Sequence, residues 1–150
     1  MTREDKCKLA ISKGYIYDSI TGKIYGSSGN EITRRHKKGY IFLNIYNKGK
    51  IINLLGHQFA YYYKYGEIVD CIDHINGIKD DNRICNLRKV TNQQNQWNTK
   101  NSKGYCYRKD RNKFHSQIGY NNNNISLGFF KTEEEARQAY LDAKKIYHKI

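Results

Sequence analysis

Proline is absent from this 150-residue chain, so element boundaries have to be read from glycine, asparagine and changes of period. Cysteine is scarce and scattered: Cys7, Cys71, Cys85 and Cys106 include no pair at Cys-x-x-Cys spacing. That pattern suits neither a zinc ribbon nor a disulfide framework, so reduced thiols and no structural zinc are expected. No run approaches the roughly 18–20 apolar residues needed to span a bilayer, so no membrane partner is expected. Met1-Thr2-Arg3-Glu4-Asp5 lacks the apolar segment of a secretory signal, and a soluble, cytoplasmic chain is expected. Hydrophobic residues make up only 38%, with a mean hydropathy of -0.90, which leaves a modest core. The 14 Tyr and 5 Phe partly compensate, since each ring brings a large apolar area. Small folded units are expected rather than one large core.

Acidic residues are in short supply too. Against 27 Lys and Arg stand 14 Asp and Glu, a net charge of +13. Such an excess favours a polyanionic partner, because neutralised phosphates release condensed counterions. The excess is uneven. Residues 1–50 carry 11 basic and 4 acidic groups, residues 51–101 carry 6 and 5, and residues 102–150 carry 10 and 5. Basic flanks therefore surround a nearly neutral middle, as expected if the flanks hold a polyanion while the middle acts on it.

Residues 14–54 read as strands. Tyr15-Ile16-Tyr17 and Lys23-Ile24-Tyr25 flank a Thr21-Gly22 turn, and Tyr40 to Tyr46 meets Lys50-Ile51-Ile52 across Asn47-Lys48-Gly49. Leu55, Phe59, Tyr62 and Tyr63 recur at helical spacing and predict a short helix ending near Gly66. Residues 67–101 hold short apolar pieces among many Asp and Asn, then a polar helix from about Asn92. Strands return after Ser102, with Asn121–Asn124 as a turn. Thr132 and Glu135 form a capping box before a helix whose Ala136, Ala139, Tyr140, Ala143, Ile146 and Tyr147 make one stripe.

The chemistry-bearing residues lie in the middle: Asp73-His74-Ile75-Asn76-Gly77, Asp81-Asn82-Arg83, Asn86-Leu87-Arg88, Val90-Thr91 and Asn95. Phosphodiester hydrolysis needs an oxygen-ligated divalent cation and a base near neutral pKa. Adjacent strand residues point to opposite faces, so Asp73 and His74 cannot face one point unless the fold bends them together. Together with His57-Gln58-Phe59-Ala60, this ordered run resembles the HNH endonucleases, in the branch common among bacteriophage and intron-encoded homing enzymes. Lys89 and Gln94 depart from that branch, which has an aromatic and a Glu there.

The resemblance implies a ββα-metal fold within an α+β chain. It implies Asp73 and Asn95 as ligands of one Mg²⁺ or Mn²⁺ per site, His74 as general base, and Asn86 as a catalytic-site residue that braces the loop and helps orient the base. Asn86 is also readable as purely structural, and His57 as an anchor for the preceding helix. The expected activity is metal-dependent hydrolysis of double-stranded DNA by a monomer or weak dimer, in the cytoplasm of a bacterial or phage-infected cell. The alternative is a DNA-binding regulator on an inactive nuclease scaffold.

Residues 102–149 resemble the APETALA/ethylene-response-factor DNA-binding domain through Ser102-Lys103-Gly104-Tyr105, Lys113-Phe114, Gln117-Ile118, Leu127-Gly128-Phe129-Phe130 and Thr132 to Ala136. A three-stranded sheet packed on one helix is implied, with Lys103, Arg108, Arg111, Lys113, His115 and Gln117 toward DNA. A basic strand face making only phosphate contacts is the simpler alternative. Arg34, Arg35, Lys37 and Lys38, with Arg88, complete the candidate DNA contacts. The expected division is a β-rich, β-hairpin DNA-binding module at 1–54, the nuclease core at 55–101 and the sheet-and-helix domain at 102–150.

Overall fold

Thr2 begins the first helix, α1 (Arg3–Ser12), by accepting from the Asp5 amide at 3.1 Å while the Asp5 carboxylate accepts from the Thr2 amide at 2.9 Å. The structure, a computed structural model, describes residues 1–98 and 102–149. It falls into two units, Met1–Thr91 and Asn92–Ile150.

In the first unit α1 is followed by a short pair, β1 (Ile16–Tyr17) and β2 (Ile24–Tyr25), and by a longer hairpin, β3 (Phe42–Asn47) and β4 (Lys50–Leu55). Both hairpins lie where strand period and turn residues predict them. The second turns through Lys48 and Gly49 at φ 47° and 78°, the left-handed pair that matches strand twist. Leu43, Ile45 and Leu54 point inward and meet Phe59 and Ala60 of α2 (Gly56–Tyr65). Gly66 ends that helix in the left-handed region. A third hairpin, β5 (Cys71–His74) and β6 (Leu87–Val90), pairs Asp73 with Arg88 and His74 with Leu87; a 3₁₀ turn at Ile84–Asn86 leads into β6. Cys7 and Ala10 of α1, Tyr17, Ile24, the β3–β4 residues and Leu87 all belong to one core, so residues 1–54 and 55–91 pack as one body. The helix α1 lies inside the segment expected to be β-rich.

The second unit holds α3 (Asn92–Trp97), an antiparallel sheet of β7 (Tyr105–Arg108), β8 (Lys113–Tyr120) and β9 (Asn123–Phe130), and α4 (Glu133–Tyr147). Thr132 caps α4 by accepting from the Glu135 amide, and Ala136, Tyr140 and Ala143 bury the predicted stripe, the latter two against Ile118. Ile146, expected in that stripe, is exposed. Asn121 and Asn122, at φ 50° and 62°, turn β8 into β9. Register slips between Ser116 and Gln117, because β9 carries one extra residue there. Gly128, at φ 115°, accommodates that bulge, which explains glycine within Leu127-Gly128-Phe129-Phe130. Among the described residues no helix is long and apolar enough to cross a membrane.

Candidate functional site

The β5–β6 hairpin carries Asp73, His74 and Asn86, and all three are buried. Asp73 and Arg88 are cross-strand partners on one face, and Arg88 donates from Nε and Nη2 to Asp73 Oδ2 at 2.9 and 2.7 Å. His74 meets a different set. Its Nε2 lies 3.1 Å from Asn82 Oδ1, its ring stands edge-on to His57 at 5.3 Å, and Tyr40 lies 5.9 Å away. The divergence expected of neighbouring strand residues is thus visible in what each touches.

Asn86 acts on the intervening loop. Its Oδ1 accepts from the Asn76 amide at 3.0 Å, while its Nδ2 donates to Asn76 Oδ1 at 3.0 Å and to the Asp81 carbonyl at 2.8 Å. Asp81 in turn accepts from Asn76 Nδ2 at 2.7 Å and from Arg83 Nη2 at 2.6 Å. The Arg83 guanidinium holds the Asp81 carboxyl down at about 2. His57 is lowered to about 3, first by burial and then by the charges of His74 and Arg3, so it stays neutral and packs as a core group.

Asn95, the other candidate ligand, lies on α3 in the second unit and is exposed. Among the described residues, no group of three or more His, Cys, Asp or Glu could hold a metal. An Asp with an Asn is a different donor set. Both offer hard oxygens, which fits Mg²⁺ or Mn²⁺ completed by water and phosphate, and suits zinc poorly.

The basic candidates divide. Arg34, Lys37 and Lys38 are exposed, whereas Arg35 pairs with Asp80 at 2.7 Å. Arg88 is engaged by Asp73. On the second unit's sheet, Lys113, His115 and Gln117 alternate along β8, on the face opposite buried Ser116 and Ile118. Arg108 stands across from Lys113 and also pairs with Asp110 at 3.1 Å. Lys103 is exposed ahead of β7. The His115 ring stacks on Phe129 at 4.5 Å, and Arg111 lies over the same ring at 4.3 Å. Phe114 lies edge-on to Tyr105 and tilted against Tyr107.

Sequence reasoning assigned no role to Tyr40, Asn82 or Phe129. Asn82 stands inside the quoted run, but nothing local marks it as the partner of His74. Phe129 could have been found, since it pairs across the strands with His115.

No curated protein matches the chain. It is similar, at 28% identity and a TM-score of 0.47, to a solved structure described as "DNA binding and cleavage by the HNH homing endonuclease I-HmuI". The match covers 56% of this chain and 50% of that one, so the chain spans half the length of that solved relative. Residues 55–97 match the family model described as HNH endonuclease, and the β5–β6 hairpin with its Asp73–His74 pair lies within the matched residues.

Proposed function

We propose that the chain is a metal-dependent endonuclease that hydrolyses phosphodiester bonds in double-stranded DNA. The observation that carries this reading is the HNH match over residues 55–97, which takes in Asp73, His74, Asn86 and Asn95 together. Asp73 and Asn95 would hold one Mg²⁺ or Mn²⁺. When bound, such a cation supplies charge stabilisation at the scissile phosphate. His74 is the general base: its imidazole takes the proton of the attacking water. Asn86 keeps the loop after His74 in one conformation and so sets the surroundings of the base.

Duplex DNA is held by basic and polar side chains of both units. Arg34, Lys37 and Lys38 serve in the first, and Lys103, Arg108, Arg111, Lys113, His115 and Gln117 in the second. On the sheet, stacking of His115 and Arg111 on Phe129 orders two of these groups before DNA arrives, which lowers the entropy lost on binding. One candidate centre among the described residues favours nicking by a monomer or weak dimer.

Supercoiled plasmid incubated with Mg²⁺, Mn²⁺ or a chelator tests the reading. Nicked or linear product with either metal, and none with chelator, is the expected result. One observation favours a second reading, a DNA-binding regulator: Arg88 already occupies a carboxylate oxygen of Asp73. That reading expects salt-dependent DNA binding with no cleavage in either metal.

A further inference from the structure

Within the β5–β6 loop, Asn82 is buried more deeply than either Asp73 or His74, at 1% exposure. It is gripped from two directions. The Tyr17 hydroxyl donates to the Asn82 carbonyl at 2.6 Å, and the Ile84 amide donates to the Ser19 carbonyl at 3.1 Å. The turn between β1 and β2 presses on the same backbone: a Cβ on Gly22 would stand 2.4 Å from the Arg83 nitrogen and 2.7 Å from the Asn82 carbonyl carbon. From the other side, a Cβ on Gly56 would stand 3.0 Å from Asn82 Nδ2.

That Nδ2 is buried with no hydrogen-bond partner. An unpaired buried N–H is unfavourable, and leucine would fill a similar volume without one. The side-chain bond that asparagine adds here goes from Oδ1 to His74 Nε2. We infer that Asn82 is a positioning residue for His74. Its Oδ1 accepts from Nε2–H, which places the ring's lone pair on Nδ1 and leaves Nδ1 to take the proton from water. His57 and Tyr40, packed on the same ring, restrict its rotation. The β1–β2 hairpin acts on the chemistry through Tyr17 and Gly22, which fix the backbone that carries Asn82. The inference rests on His74 being the base of the proposed nuclease.

Two measurements on the full chain test it. With ¹⁵N-labelled histidine, long-range proton–nitrogen correlation reads the tautomer of neutral His74, assigned by the signals lost in His74→Gln. Protonated Nε2 with unprotonated Nδ1 is expected; the reverse tautomer, or an averaged pair, overturns the inference. In plasmid nicking, Asn82→Leu is expected to lower kcat about 10–100-fold, the usual effect of losing such an orienting partner, with KM for DNA unchanged. Asn82→Asp keeps an acceptor toward Nε2 and is expected to recover most of that loss. If Asn82→Leu cuts as fast as wild type while His74→Ala does not cut, the positioning role is wrong and the base stands. If His74→Ala itself cuts at the wild-type rate, the base assignment fails, and with it the catalytic use of the tautomer that Asn82 selects.

Discussion

Of the six buried polar or charged side chains among the described residues, His57, Asp73, His74, Asn82 and Asn86 lie in the first unit and Ser116 alone in the second. Burying a polar group costs free energy unless it is hydrogen-bonded, so a small fold that buries five of them needs their orientation for something. The second unit has the opposite economy. Its interior is Ile118, Tyr140 and small alanines, and its polar groups stand on the open face of a sheet, backed by an aromatic ring. Buried polar order suits bond-breaking chemistry, which needs fixed geometry. Exposed basic side chains suit the phosphate backbone, which tolerates variation in position.

The strongest way to break this contrast is His74→Ala. Loss of a general base typically lowers rate about 10²–10⁴-fold, so nicking should fall by that factor while gel-shift affinity for duplex DNA is retained. Wild-type cutting by that variant would place the chemistry elsewhere. Next in size is Arg88→Met, which strips Asp73 of a charge-assisted partner and should lower the stability of the chain by about 1.5–3 kcal/mol in denaturant unfolding. If stability holds and the salt dependence of DNA binding flattens instead, Arg88 belongs to the binding surface and the division between units is less sharp.

A smaller effect comes from His57. Its folded value, about 3, lies below the ordinary 6.5, so between those values the unfolded chain binds more protons and stability rises with pH. Acidification below 6.5 should therefore cost about 1.4 kcal/mol per pH unit, and His57→Phe should remove that slope in unfolding measured at pH 7 and pH 5.5. The smallest effect expected is Lys113→Gln. One lost phosphate contact should lower the slope of log affinity against log salt by about 0.9. An unchanged slope would remove Lys113 from the interface.

Elements with a strong local signature were legible before the fold was known. The α4 cap at Thr132, the Gly66 stop of α2 and the Lys48–Gly49 turn each follow from side-chain or backbone preferences within a few residues. The helix α1 was not legible, because Arg-Glu-Asp-Lys-Cys-Lys-Leu-Ala-Ile-Ser shows no continuous apolar stripe; only Cys7 and Ala10 are fully buried. Nor does strand period reveal that residues 1–54 share a core with residues 55–91, since that depends on contacts such as Tyr17 with Asn82 across 65 positions. At the site, Asp73, His74, Asn86 and Asn95 came forward as candidates through the family resemblance that their ordered run carries. The Arg88 bond to Asp73 required the β5–β6 register, and the Asn82 bond to His74 required the path of a loop.

The braced loop also bears on how the protein ages. Asn76-Gly77 is the kind of dipeptide in which the glycine amide attacks the asparagine side chain and sheds ammonia, a slow loss that contributes to the thermal lability of asparagine. Here both reactants are tied: the Gly77 amide donates to the His74 carbonyl at 2.8 Å, and the Asn76 side chain bonds Asp81, Asn86 and the Ile78 amide. Intact Asn76 is the expected outcome after prolonged warm storage, read as the absence of a one-dalton mass gain on the peptide that contains it. In Asn86→Ala, which removes one of the partners that hold the Asn76 side chain, that gain should appear earlier than in the wild type, so that the side chain bracing the loop also bears on its shelf life.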